Sequence, residues 1–304
     1  MIIRPPQHWF RRLFVWHGSV LPNIVFRLFL NAAMAVLAIA LLPWYEESGV
    51  RLTLGPFSLL GVAIAIFLGF RNNTAYARFD EARQLWGALL VSTRSLVRQV
   101  KSVLPDEADA RTFANLLTAF SWCLNHQLRG ADHRPDLERL IPETYRETIA
   151  ASPMPANRVL LCIGLWLGEK RRSEAISDIV YAGIDHNLDE LSRILGGCER
   201  IAGTPIPFAY SLILYRTVYL FCTLLPFALV EDLKYMTPLV SVFISYTFLS
   251  LEAVAEELED PFGTAPNDLP LNALCTVIER NLGDMTGSQP IPALLRPDHR
   301  FNLS

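Results

Sequence analysis

No cysteine in this chain has a companion at metal-binding or redox spacing. Cys123, Cys162, Cys198, Cys222 and Cys275 are scattered without a CxxC pair and without a histidine at ligand spacing, so they read as core thiols of a reduced compartment. Catalytic signatures are missing too. There is no HExxH, and His126, His133 and His186 lie far apart. No Ser-His-Asp order, phosphate-cradling glycine loop or paired-carboxylate motif stands out, so neither an enzyme nor a cofactor or metal is expected. Excess charge of one sign is scarce: 27 Lys and Arg against 30 Asp and Glu leave a net −3. With a pI near 6.1 there is no broad basic field for nucleic acid. Alternating strand patterns, internal repeats and low-complexity segments are absent. The opening "MIIRPPQHWFRRLFVWHG" lacks a cleavable signal's apolar core and small-residue cleavage site, and is expected to stay in the mature protein.

What the chain has is apolar length. Of its 304 residues 51% are hydrophobic and 19% charged, too apolar for an ordinary soluble domain. The charges gather in the middle and at the ends, so a membrane part and a large water-exposed part are both expected. Four segments are candidate spans: Asn23 to Pro43, Leu54 to Phe70, Pro205 to Val230 and Tyr235 to Leu258. A hydrocarbon core of about 30 Å takes about 20 helical residues, so the second is short. The connections "WYEESGVRLT" and "EDLKY" are poor in basic residues. Arg4, Arg11 and Arg12 precede the first span, and Arg71, Arg78, Arg83, Arg94, Arg98 and Lys101 follow the second. The positive-inside rule therefore expects both termini and the middle region in the cytoplasm.

Between the second and third spans, "TFANLLTAFSWCLNHQL", "ANRVLLCIGLWLGE" and "SEAISDIVYAGIDHNLDELSRILGGCERI" repeat apolar residues at three-and-four spacing. The expected fold is all-α: four transmembrane helices and a helical cytosolic domain. The expected segments are a cytosolic start at 1–22, membrane helices at 23–70, the helical domain at 71–204, two further membrane helices at 205–258 and a cytosolic end at 259–304.

In "GVAIAIFLGFRNN", residues 61–73, Val62, Ile66 and Phe70 recur every four residues and make one stripe on a helix, among the small Gly61, Ala63, Ala65 and Gly69. Such a helix suits a tight pore between identical subunits, but periodicity alone favours a stripe that faces lipid or its own bundle core. "FLGFRNNTAYARFDEARQLWGALL", "GCERIAGTPIPFAYSLILYRTVYLF" and "LEDPFGTAPNDLPL", in that order, resemble the bestrophin family in its bacterial branch, and the resemblance covers nearly the whole chain. It implies a homopentameric ion channel of the inner membrane whose partners are four further copies, membrane lipids and permeating monovalent ions. It places the family's hydrophobic neck gate, lining one axial pore within residues 61–70, on Val62, Ile66 and Phe70, with neck flexibility at Gly61 and Gly69. A second, cytosolic constriction falls on Val180, with Ile179 next to it. Where animal members carry an acidic calcium clasp this chain has only Asp268, a poor start for an ion that takes six to eight oxygens.

Other expectations follow from the residues themselves. Arg27 is expected to snorkel at the cytosolic end of its span or to be paired, and Arg216 to find an interhelical partner or line the pore. Glu252, Glu256, Glu257 and Glu259 read as a solvated helix end. Trp86 is expected between subunits, and the tail after Pro290 as a peripheral strap. In the outer loops Glu46, Glu47, Glu231 and Asp232 outnumber Arg51 and Lys234, which leans the selectivity towards sodium and potassium. The alternatives are a chloride or other anion channel and a membrane-anchored helical scaffold.

Overall fold

The computed structural model describes all residues except Gln7 and Gly49, Val50 and Arg51, and omits the side chains of Tyr45, Glu46 and Ser48. The described residues are helical almost throughout: α1 Trp9–Arg12, α2 Leu21–Ser48, α3 Leu54–Val103, α4 Glu107–Arg129, α5 Arg134–Leu140, α6 Glu143–Ala150, α7 Pro155–Arg172, α8 Asp178–Gly203, α9 Phe208–Leu233, α10 Thr237–Glu259 and α11 Leu271–Thr286. Three helical stretches are long and apolar enough to cross a membrane: Leu21–Trp44, Leu54–Val103 and Phe208–Glu259. The last is interrupted by a 3₁₀ turn at Lys234–Met236, where Lys234 takes a positive φ of 46°.

The chain forms two compact units. One comprises Pro6–Phe79 with Pro205–Asp260. Its core draws Ile24 from α2, Ile64 and Leu68 from α3, Val218, Phe221, Leu225 and Leu229 from α9, and Leu249 and Ala253 from α10. Asn31, Ala35 and Ala38 of α2 are buried, as are Thr237, Ser241 and Ser245 of α10, which packs on it. Small side chains let two backbones come close where lipid removes the hydrophobic incentive to associate.

The other unit comprises Met1–Pro5, Asp80–Thr204 and Pro261–Ser304. Two of its helices, α4 and α8, open on side-chain caps from Asp106 and Ser177. Asp106 accepts the Ala108 N–H at 2.8 Å to open α4, and Gly130 closes it at φ 61°, where glycine carries no Cβ penalty. α8 comes close to α3 at Gly197, where a Cβ would stand 2.9 Å from Leu85 Cδ1. All five cysteines are free and buried. Burial pushes the Cys123 and Cys198 thiols up to about 12.

Two expectations change here. The tail is exposed along much of its length, yet its end is stitched down. Ile2 pairs with Asn302 in an antiparallel bridge, the Leu303 N–H donates to Met1 O at 2.8 Å, and Ser304 O accepts the Ala273 N–H at 2.8 Å in the first turn of α11. α11 has no side-chain cap, so that carbonyl satisfies one of its orphan donors. The last residues are thus a peripheral strap, none of them buried, and what changes is that its end is fastened to the unit by backbone hydrogen bonds. Trp86 is 1% exposed in a single chain, so it belongs to the subunit interior and not to a surface between subunits. An outward side chain on α3 at that point is Val91. Trp86→Ala is expected to destabilise the subunit itself by about 3–5 kcal/mol, while Trp86→Phe, which removes an indole N–H that has no hydrogen-bond partner among the described residues, keeps most of the stability. Thermal unfolding followed by circular dichroism checks this; an unchanged melt accompanied by loss of the oligomer would return Trp86 to an interface.

Candidate functional site

α3 begins as a row of apolar and small residues with two unlike faces. Ile64, Leu68, Arg71 and Ala75, at alternating spacings of four and three, are buried. Val62, Ile66 and Phe70, at a strict spacing of four, are 59%, 53% and 59% exposed. The sequence stripe is therefore a bare row about 12 Å long, at 1.5 Å rise per residue, on the side of the helix turned from its own core. Of the flanking glycines, Gly61 lies where a Cβ would touch the Phe221 ring at 3.4 Å, and Gly69 has open space around it.

The residue after Phe70 turns the other way. Arg71 reaches into the unit, where its Nη1 lies 3.3 Å from Glu252 Oε1 and its Nη2 lies 3.8 Å from Glu259 Oε2. The second Glu252 oxygen is 3.5 Å from Arg27 Nη1. Arg71 and Glu252 are 4% and 2% exposed, so both charges are out of water and each depends on the other. Arg27 also lies over the ring of Tyr219, 5.0 Å from its centroid, which favours a cation on the ring face. The anchorage continues along α3. Asn72 Nδ2 donates to Leu251 O at 3.1 Å, Arg78 Nε to Glu259 O at 3.3 Å, and Glu259 Oε1 accepts the Ile206 N–H at 3.0 Å. α3 is thus held to α10 immediately beyond the bare row.

Glu252 corrects the expectation of a solvated helix end, and Arg27 is paired. The signal for Glu252 lies in α10 itself, where Thr237, Ser241, Ser245, Leu249 and Glu252 step by four, four, four and three along one buried face. Arg216 is exposed on α9 and its side chain has no partner among the described residues, so an interhelical partner within the chain is not met.

In the second unit, Ile179 and Val180 occupy the first turn of α8. Ile179 is 86% exposed, Val180 is half-buried, and the Val180 N–H donates to Ser177 Oγ at 3.4 Å. Asp268 is buried and accepts the Ala265 N–H at 2.6 Å, which commits one of its oxygens to its own loop. Arg129 pins that loop by donating to Phe262 O and Leu269 O at 3.3 and 3.0 Å. Among the described residues no three His, Cys, Asp or Glu side chains cluster in a way that could hold a metal ion.

The family model for bacterial/fungal bestrophin protein matches residues 1–284. The chain belongs to the bestrophin family. This bestrophin is 55% identical over all 304 residues, and over the full length of both chains, to the voltage-dependent anion channel-forming protein YneE of Escherichia coli K12. It is 45% identical over 291 residues to a similarly named protein of Ralstonia nicotianae, covering 94% of this chain and 95% of that one. A crystal structure of a bacterial bestrophin homologue from Klebsiella pneumoniae superposes with a TM-score of 0.86 at 61% identity, covering 88% of this chain and all of the other. The family is one of ion channels, not enzymes.

The names of these relatives favour the anion alternative over the sodium and potassium lean. That lean counted formal charges in loops, and a count of charges takes no account of their burial: Glu231 is only half exposed. Arg51 and the Glu46 side chain lie outside the described residues. At the buried cluster, Glu252→Ala leaves the Arg71 guanidinium without its main counter-charge and is expected to cost about 3–5 kcal/mol. Glu252→Gln, which keeps shape and one acceptor, should fall between. Melting of the purified channel in detergent reads both, and a Glu252→Ala protein that melts like the parent would remove the cluster from the stability account.

Proposed function

We propose that this bestrophin is the subunit of a homopentameric inner-membrane channel that passes monovalent anions such as chloride passively down their gradient. The observation that carries this reading is end-to-end similarity to proteins named as voltage-dependent anion channel-forming. In this reading α2, the Leu54 to Phe70 part of α3, α9 and α10 cross the bilayer, with both termini and residues 71–204 in the cytoplasm. The basic residues around Arg11 and after Phe70 support that orientation. Five α3 helices surround the axis. Purified protein in liposomes under a potassium chloride gradient tests the selectivity. The reversal potential is expected near the chloride equilibrium value, and a value near that of potassium would restore the cation reading.

Val62, Ile66 and Phe70 form the neck of that path. They are exposed side chains in one row of α3, and a second copy or the axis itself is what such a row needs. Rings of these side chains offer an ion neither charge nor hydrogen bonds in place of its water, so a bore near one water wide dewets and closes. Gly69, with open space beside it, lets α3 turn without a side-chain clash, and Gly61 permits a close approach to α9. Ile179 and Val180 form a second narrowing on the cytosolic side. Replacing Val62, Ile66 and Phe70 together by alanine is expected to raise open probability with little change in the anion-to-cation permeability ratio. Single-channel recording decides it, and openings as rare as in the parent would move the gate to Val180.

A further inference from the structure

The second unit contains a cavity of about 510 Å³ between α4, α5, α11 and the segment after α11, and none of the residues assigned above to the ion path lines it. Its size is that of a small-molecule pocket. One wall is the stripe Arg111, Asn115 and Thr118 on α4, and the opposing wall is Glu279, Gly283 and Thr286 on α11, both at spacings of four and three. Residue 283 helps to keep the space open, since a Cβ there would approach nothing nearer than Ser288 O at 3.9 Å. The floor is ordered: Ser288 N–H donates to Gly283 O at 2.9 Å, and Thr286 and Ser288 hydroxyls share a hydrogen bond of 2.9 Å. Arg280 Nη1 donates to Pro292 O at 3.0 Å and holds the remaining wall in place.

The charges around this cavity are unequally served. Glu279 is fully engaged: Arg139 pairs with both of its oxygens and Trp122 Nε1 donates to Oε2 at 2.8 Å. Arg139 also donates through Nε to Asp136 at 2.8 Å, and Asp136 takes a second contact of 2.7 Å from His126 Nε2. Burial alone would raise the Asp136 carboxyl, but the hydrogen bonds from His126 and Arg139 hold it below its ordinary value, so it stays ionised beside Arg139. Arg139 is therefore neutralised by its two carboxylates. Arg111 is not. Arg111 is exposed at the rim and Asn115, one turn on, is half-buried; both line the cavity, and neither the guanidinium nor the amide has a side-chain partner among the described residues, so both are free to meet a ligand. A guanidinium presents donors in a fork that fits a carboxylate or phosphate, and an amide N–H beside it adds another donor.

We propose that this cavity is a binding site for a small oxyanion, a carboxylate or phosphate, held by Arg111 and Asn115 with its remainder against Gly283 and Thr286. The site shares no residue with the α3 row and does not depend on which ion the channel selects. Calorimetric titration of the full-length channel in detergent, at low ionic strength and with non-coordinating buffer, tests it. The probes are succinate, citrate and inorganic phosphate, with glucose as the uncharged comparison. At least one oxyanion should bind saturably. Arg111→Gln should weaken it about tenfold or more, as removal of charge-assisted hydrogen bonds does. Gly283→Leu, which fills the cavity, should abolish it, and unchanged melting of both variants shows that the fold survives. If succinate or citrate binds and phosphate does not, the ligand is a carboxylate; the opposite order makes it a phosphate. The proposal is overturned if none of the three binds more tightly than glucose, or if Arg111→Gln binds as the parent does.

Discussion

The membrane unit is organised around a carboxylate that has no access to water. Glu252 lies between Arg71 and Arg27, and an ionised group in such a place persists only because its counter-charges are fixed by the same packing that excludes solvent. That requirement links α2, α3 and α10 at one point, one residue beyond Phe70. Replacing such an ion pair by apolar side chains often gives equal or greater stability, so stability alone does not account for it. What it supplies is register. A buried charge tolerates no slip of α3 along α10, whereas leucine against leucine would tolerate a small one.

Register matters because the opposite face of α3 has no partner within the chain. The same helix segment carries Ile64, Leu68 and Arg71 inward and Val62, Ile66 and Phe70 outward, so any rotation that freed one row would bury the other. An apolar face of this kind is stable only against lipid, another copy or a narrow, poorly wetted bore. The ion pairs at Arg71 and the backbone ties at Asn72 and Arg78 hold the row's end while leaving its side chains bare.

The second unit relies on different physics. It has side-chain caps on α4 and α8, an aromatic core that includes Trp86 and Phe120, and termini joined by backbone hydrogen bonds. Its polar clusters are satisfied in places, as at Asp136, Arg139 and Glu279, and left open at Arg111 and Asn115. The open groups point to binding because a forked donor and an amide converge on one cavity wall, not because an exposed guanidinium is itself unusual.

Sequence by itself determined the helical class, the apolar stretches, the family and the four-residue row on α3, because each depends on local periodicity or on ordered motifs that survive without coordinates. Glu252 was misread from the same letters, since a carboxylate at the end of an apolar helix has identical local chemistry whether it faces water or two arginines. Trp86 was misplaced for a related reason: periodicity tells which residues share a face, and not whether that face meets its own chain or another. The stitched tail was invisible because its bonds join backbone groups distant in sequence, the two ends of the chain among them, and require no particular side chains. Nothing in the letters of α4 marks Arg111 and Asn115, and only the packing of α11 and the following segment makes their face the wall of a cavity. Tertiary structure decided these matters because burial and the pairing of charge belong to the arrangement of distant segments, which the order of residues along one helix does not encode.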